Sequence, residues 1–320
     1  MTILLLDKET MGKGLDFSPL SALGTVLDLG TVKTEEQFLA LLEDPAAQNA
    51  EILLCNKAPV TKRVLAAMPL LSYVGVFATG YNNADLPALS ERGIALCNVP
   101  DYSSDAVAQL VCTFLLMTAG KTHLYAKDVS AGAWIKSPSF SMINHDTAEL
   151  AGKTLGILGY GNIGKRVAAL GRAFGMTVLV HTRTVKEDPQ VLFVSREELL
   201  QRADFLSLNA PLNDATAEFI NSDSLRLMKR SAVLINTARG GLVNEEALAT
   251  ALKEGQIAFA CLDVLKKEPM EENCPLYGLD NCLITPHIAW TPLETRRRLL
   301  KIAIENLAAF LEGREQNRVV

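Results

Sequence analysis

Short apolar runs recur along the chain, and the stretches between them carry apolar residues at helical spacing. In the first hundred residues, Ile3–Leu6, Gly24–Leu29, Ile52–Cys55, Tyr73–Phe77 and Ala95–Cys97 read as strands. Thr34-Glu35-Glu36-Gln37 is a capping box that opens a helix running to Leu42. Thr61 to Met68 is a second helix, stopped by Pro69. This alternation predicts an α/β unit built on a parallel sheet. Asp105 to Ala131 reads as one long helix, apolar almost all round in its first half, the pattern of a helix buried between two bodies. Ser137 to His145 reads as a loop. Six further strands follow, Thr154–Leu158, Thr177–His181, Phe205–Leu208, Ala232–Ile235, Ala258–Asp263 and Cys282–Thr285, with helices between them. That is the strand count of a full doubly wound dinucleotide domain. A last helix over 292–313 ends at Gly313, and the polar tail from Arg314 to Val320 is expected to fray.

The strand at Thr154–Leu158 runs straight into Gly159-Tyr160-Gly161-Asn162-Ile163-Gly164 and then into a helical stretch. Each glycine has a physical task in a dinucleotide site. Gly159 permits the tight turn, Gly161 lets backbone amides approach a pyrophosphate, and Gly164 permits close helix–strand packing. The helix N-terminus adds partial positive charge. After the second strand such domains usually place an acid on the adenosine ribose. Here the position is Thr182-Arg183, without an acid. Arg183 is suited to a 2′-phosphate, which favours NADPH over NADH; stacking on adenine or facing solvent are the other readings.

Composition narrows the partners. The chain has 320 residues, 49% hydrophobic and 21% charged, with net charge −5 and no long basic run. That is the composition of a globular enzyme rather than of a protein partnered with nucleic acid or an anionic membrane. The N-terminus reads as a first strand, not a signal peptide. Six cysteines without C-x-x-C spacing suggest thiols in a reducing, cytoplasmic compartment. Four histidines without i, i+4 pairing give no zinc pattern, and no metal is expected.

Ligands of parallel α/β folds bind at the carboxyl ends of strands. The segments there are Ala78-Thr79-Gly80-Tyr81-Asn82-Asn83, Asn209-Ala210-Pro211, Asn236-Thr237-Ala238-Arg239-Gly240 and Asp263. The first is either a ligand loop or a plain turn. Arg239 follows an apolar strand directly, so it either pins a substrate carboxylate with two hydrogen bonds or makes a structural ion pair. His287, in Thr285-Pro286-His287-Ile288-Ala289-Trp290, is placed to carry a proton. A carboxylate such as Glu268 would orient its ring and stabilise its charged form. Singly, Glu268 can be a surface residue and His287 a satisfied buried one. Together, Arg239, Glu268 and His287 beside a nucleotide crevice suggest hydride transfer to a 2-keto acid, with His287 as proton donor.

With Glu149 to Ile157, Gly159 to Gly164, Ile235 to Gly240, Asp263-Val264, Glu268-Pro269 and Thr285-Pro286-His287 in view, the chain resembles the D-isomer-specific 2-hydroxyacid dehydrogenases over nearly its whole length. The resemblance implies the same roles for Arg239, Glu268 and His287. It implies substrate contacts from the backbone at Ala78, Thr79 and Gly80. It also implies cofactor contacts near Val107, Asn162, Ile163, Thr182, Pro211, Thr216, Thr237 and Asp263, with Asn209, Ala210, Ala238, His287 and Ala289 on the same strand ends. Asn209 stands where many relatives carry His. The implied fold is α/β in two domains. A flavodoxin-like substrate domain takes residues 1–100 and 290–320, and a Rossmann-type NAD(P)-binding domain takes 101–289. Members are usually homodimers. Ala78 to Asn83 and His287 to Trp290 are similar to the glycerate dehydrogenases, or hydroxypyruvate reductases, where Trp290 either walls the pocket or serves as a core aromatic. Hydroxypyruvate or glyoxylate is then the expected substrate. A D-3-phosphoglycerate dehydrogenase is an alternative, although no basic cluster awaits a substrate phosphate. A dinucleotide-sensing, corepressor-like binding protein is an alternative of another class. A formate dehydrogenase is disfavoured, because that branch pairs its His with Gln.

Overall fold

The computed structural model describes residues 1–184 and 187–320, which divide into two compact units, Met1–Ser103 with Thr291–Val320, and Ser104–Trp290. The first unit is a five-stranded parallel sheet of β1 (Thr2–Leu5), β2 (Thr25–Asp28), β3 (Ile52–Cys55), β4 (Tyr73–Val76) and β5 (Ala95–Cys97), in the order β2-β1-β3-β4-β5. This is the flavodoxin-like order. Strands β3, β4 and β5 are buried along their whole length, as parallel strands covered on both faces must be. The capping box at Thr34 is present, and its helix spans Glu35–Leu41.

A sheet with this order reverses direction between β1 and β3, where a ligand crevice is expected. The chain fills that place with its own carboxylate. Asp7 is fully buried. Its Oδ1 accepts from the Val32 amide at 3.1 Å. Its Oδ2 accepts from Asn56, Lys57 and Ala58 at 3.1, 2.7 and 2.7 Å.

The tail does not fray. Residue Val319 donates to Leu96 O at 2.7 Å, Leu96 donates back to Val320 O, and an antiparallel bridge joins Cys97 to Arg318. Gln316 and Asn317 donate to Asn306 Oδ1 on the helix Leu293–Leu311, whose Phe310 ring packs on Tyr73 at 4.9 Å. Tail polarity is spent on these side-chain bonds, while Val319 and Val320 pack on the apolar core.

The second unit holds a seven-stranded parallel sheet: β6 (Thr154–Leu158), β7 (Thr177–His181), β8 (Leu192–Phe193), β9 (Phe205–Leu208), β10 (Val233–Asn236), β11 (Phe259–Leu262) and β12 (Cys282–Ile284). Its order, β12-β11-β10-β9-β6-β7-β8, is the doubly wound one, with the reversal between β6 and β9. The edge strand β8 was not expected; two residues are too few to form a periodic pattern. Apolar cores cover both faces of the sheet, with side chains of β6 and β9 alternating between them.

Two expectations for the long helix are corrected. It is two helices, Ser104–Gly120 and Thr122–Ser130, separated at Lys121, whose φ of 51° lies in the left-handed region. The first is not enclosed all round: Asp105, Gln109, Thr113 and Leu116 form a solvent-exposed stripe at helical spacing. The second buries none of its residues. Among the described residues no helix is long and apolar enough to cross a membrane. All six cysteines are free. Cys55 in β3 and Cys261 in β11 are fully buried, and burial pushes both thiols well above the ordinary range.

Candidate active site

The glycine turn leaves the carboxyl end of β6 at the reversal of the second sheet. Gly159 has φ +88°, and a Cβ there would press on the Asn209 carbonyl at 2.8 Å and the Ala210 amide at 2.9 Å. A Cβ on Gly164 would strike the Gly159 carbonyl, so the third glycine permits the helix Asn162–Ala173 to start against the turn. Gly161 is different: a Cβ there would meet nothing within 4 Å, so this side of the turn is open. Gly161 is also the N-cap, and no side chain caps the helix there. Its amides are therefore left for an anionic ligand.

The neighbouring strand ends present two orphaned polar atoms. Asn209 donates through Nδ2 to the Ser207 carbonyl at 3.2 Å and to Ser207 Oγ at 3.0 Å, which leaves Oδ1 buried without a partner. Thr237 Oγ1, after β10, is likewise buried and unpartnered. Buried polar atoms of this kind cost about 1–3 kcal/mol each unless a ligand or water meets them. Ala210 is buried beside Asn209, while Thr216 closes the same loop by donating to the Pro211 carbonyl at 2.7 Å. At the end of β7, Thr182 is half-buried and Arg183 exposed.

Arg239 is exposed, and its Nη1 donates to the Ala238 carbonyl at 2.7 Å. No ion pair of Arg239 is found among the described residues, which removes the structural-pair reading. Gly240 explains how Arg239 reaches the site. A Cβ on Gly240 would overlap the Leu265 carbonyl and the Lys266 amide, so two loop backbones pass in direct contact there. Because Glu268 lies three residues beyond Leu265, this contact sets Arg239 and Glu268 relative to each other. Gly240→Ala is expected to destabilise the unit by about 1–3 kcal/mol through overpacking. Calorimetry should show a transition lower by about 2–4 °C per kcal/mol, with activity falling in parallel.

Glu268 is anchored by its own loop, Oε1 accepting from the Leu265 amide at 2.9 Å. Its Oε2 lies 2.7 Å from His287 Nδ1. A carboxylate can only accept there, so Nδ1 donates and Nε2 is left to handle a proton. The side chains of His287 and Glu268 are 42% and 37% exposed, so the pair is open to a ligand.

His287 has φ +54°, which side chains with a Cβ adopt reluctantly. Asp263, 1% exposed at the end of β11, holds it there. Its Oδ1 accepts from Thr285 Oγ1 at 2.6 Å and the Ile288 amide at 2.8 Å, and its Oδ2 from the Ala289 amide at 2.9 Å. The His287 amide adds a bond to the Asp263 carbonyl at 2.9 Å. Asp263→Asn turns one acceptor into a donor facing these donors. Its expected cost is about 1.5–3 kcal/mol of stability, the worth of a bond to a charged group, together with a fall in turnover. Urea unfolding and steady-state rates check both.

Most sequence-predicted residues thus stand at one edge of the second sheet: the glycine turn, Thr182 and Arg183, Asn209 to Pro211, Thr237 to Arg239, Asp263, and the Glu268–His287 pair. Val107 is buried in the helix Ser104–Gly120, and no bond ties it to the strand ends. Trp290 is half-buried and outside the three apolar cores, which disfavours the core reading. Ala78, Thr79 and Gly80 belong to the first unit, after β4. There Thr79 Oγ1 donates to Val99 O at 2.8 Å and Asn98 Nδ2 to Thr79 O at 2.7 Å. Among the described residues the Thr79 and Gly80 amides meet no protein acceptor. Sequence reasoning missed Ser207, which orients Asn209, and the bracing role of Thr285. Thr285 was visible beside Pro286-His287, but nothing local links it to Asp263.

Residues 112–289 match the family model described as D-isomer specific 2-hydroxyacid dehydrogenase, NAD binding domain. The chain is 35% identical over 325 residues to a hydroxypyruvate reductase of Blautia hydrogenotrophica, covering 100% of this chain and 99% of that one. Among solved structures, the TT0316 protein from Thermus thermophilus superposes with TM-score 0.88 at 35% identity, over all of both chains. An acyclic imino acid reductase, solved in complex with NADPH and D-Arg, gives TM-score 0.86 at 28% identity over the same full extent. The doubly wound sheet, the glycine turn and these matches lead to one conclusion: the chain belongs to the D-isomer specific 2-hydroxyacid dehydrogenase family.

Proposed function

We propose that the protein is an NAD(P)-dependent D-2-hydroxyacid dehydrogenase that reduces a small 2-keto acid, hydroxypyruvate before glyoxylate. The observation that carries this is the Glu268–His287 pair, set by Asp263 at the carboxyl edge of a doubly wound sheet. The residues fit a dinucleotide. Gly161 faces open space, the helix behind it is uncapped, and Asn209 Oδ1 and Thr237 Oγ1 await partners. Gly159 to Gly164, Thr182, Arg183, Asn209 to Pro211, Thr237 and Asp263 would hold the cofactor. When bound, the dihydronicotinamide supplies the hydride.

Every other task falls to side chains and backbone of this chain. Arg239 holds the substrate carboxylate with its planar fork and draws electron density from the adjoining carbonyl. Substrate contacts from Ala78, Thr79 and Gly80 belong to the same proposal, supported by the Thr79 and Gly80 amides, which meet no protein acceptor among the described residues. Glu268 fixes the His287 ring through Nδ1, so Nε2 delivers a proton to the alkoxide oxygen and withdraws one in the reverse direction. Trp290 limits the room beyond the keto carbon. Hydroxypyruvate is favoured because a relative that matches this chain over its full length bears the name hydroxypyruvate reductase.

Three finer points belong to the same reading. NADPH is preferred, since Arg183 and Thr182 stand where an acid would repel the 2′-phosphate. The protein works as a homodimer, a reading supported by Trp134, Ile135, Phe140 and Ile143, which are 53%, 89%, 91% and 89% exposed on one segment. It works in the cytoplasm, in keeping with six free thiols. The deciding experiment follows oxidation of NADPH and NADH against a panel of 2-keto acids. Hydroxypyruvate should be reduced with either cofactor, more efficiently with NADPH. Absence of turnover with every keto acid would overturn the enzyme reading and favour a dinucleotide sensor.

A further inference from the structure

The chain between β7 and β8 carries Thr182 and Arg183, and both its ends are bonded to the glycine turn. At the near end, the Gly159 amide donates to the His181 carbonyl at 2.8 Å. At the far end, Tyr160 donates its hydroxyl to Asp188 Oδ2 at 2.6 Å. Tyr160 stands between the first two glycines of the turn, is 4% exposed, and packs edge-on against Phe193 of β8 at 5.5 Å. The other oxygen of Asp188 accepts from the Gln190 amide at 3.0 Å, so the carboxylate is itself braced. Arg172 and Lys165 of the neighbouring helix face the same carboxylate.

We infer that Tyr160 and Asp188 form a latch that positions Arg183 for the adenosine 2′-phosphate, making them specificity-determining residues for NADPH over NADH. The inference rests on the cofactor reading above. The physical basis is the entropy of a loop. Fixing His181 and Asp188, on either side of Arg183, against the turn before the ligand arrives means that less is lost when Arg183 meets a phosphate. NADH makes no use of that contact, so it gains little from the latch.

Charge makes the inference decidable. Asp188 is an anion bonded to the turn that receives an anion. If it acted through charge alone, removing it would strengthen NADPH binding. If it acts as a latch, removing it weakens NADPH binding. The two roles differ in sign.

The experiment measures dissociation constants of NADPH and NADH by quenching of protein fluorescence, without turnover. Its proteins are the wild type, Arg183→Ala, Tyr160→Phe, Asp188→Ala, Asp188→Asn and the double variant Tyr160→Phe/Arg183→Ala. Tyr160→Phe keeps the ring against Phe193 and removes only the hydroxyl. It should weaken NADPH about five- to tenfold, the scale of one lost hydrogen bond, with NADH changed less than about twofold. Asp188→Ala should do the same, while Asp188→Asn, which keeps an acceptor, should recover most of the loss. In the double variant Tyr160→Phe should add nothing to Arg183→Ala. A selective NADPH loss in Arg183→Ala, without one in Tyr160→Phe, would overturn the latch and leave the cofactor reading intact. Equal effects of Arg183→Ala on both cofactors would overturn the cofactor reading, and the latch with it. Tighter NADPH binding by Asp188→Ala would assign Asp188 a charge role and refute the latch.

Discussion

His287→Ala lowers turnover of the keto acid by about 10²- to 10⁴-fold, the usual contribution of a positioned general acid. Cofactor affinity stays within about twofold, because no glycine-turn contact depends on the imidazole. Stopped-flow rates with hydroxypyruvate, beside a titration of cofactor fluorescence, separate the two. Retained turnover would show that the proton comes from elsewhere. Glu268→Gln sharpens the test. A glutamine can still accept from Nδ1 through its carbonyl, but without the charge that stabilises an imidazolium. Its rate should fall between those of the wild type and His287→Ala. The remainder of the loop should keep its shape in both variants, since Asp263 braces it through Thr285 Oγ1 and the amides of Ile288 and Ala289 rather than through the His287 ring.

Arg239→Ala should cost about 10²- to 10³-fold in kcat/KM, the scale seen when one donor to a developing oxyanion is removed. The loss should fall on both KM and kcat, because one guanidinium holds the carboxylate and polarises the carbonyl. Arg239→Lys should recover little, since an ammonium cannot reproduce the planar fork. Unchanged kcat and KM in Arg239→Ala would remove the anchor role. Thermal stability should be nearly unaffected: Arg239 is exposed, and among the described residues its side chain bonds only to the adjacent Ala238 carbonyl. Loss of function without loss of stability distinguishes this variant from Gly240→Ala next to it, which acts through backbone crowding.

Local chemistry was legible in the sequence, and remote chemistry was not. The tasks assigned to Gly159, Gly161 and Gly164 follow from the absence of a Cβ; a Cβ at Gly159 or Gly164 would clash with the backbone, while Gly161 faces open space. The doubly wound class of the second unit followed from alternating strands and crossover helices, although its seventh strand, β8, did not. The pairing of Glu268 with His287 was suggested by two carriers of opposite function near one crevice, and the ring and the carboxylate do meet. By contrast, the left-handed backbone of His287 depends on Asp263, more than twenty residues upstream. The same limit hid the Asp7 carboxylate, whose partners lie 25 to 51 residues away. It also hid the return of Val319 to Leu96, because tail composition reports solvation and not a neighbouring strand edge. The break at Lys121 escaped because lysine is an ordinary helix residue and does not by itself signal a φ of 51°.

The fully buried thiols have a practical consequence. One lies in each unit, Cys55 in β3 and Cys261 in β11. Only a thiolate reacts with alkylating reagents, and burial holds both groups protonated, so each reacts only when its strand opens to solvent. Their labelling rates, read peptide by peptide, are two separate clocks for local unfolding within one chain. A dinucleotide that binds the second unit alone would slow the Cys261 clock and leave that of Cys55 running, which locates binding without a single turnover being measured.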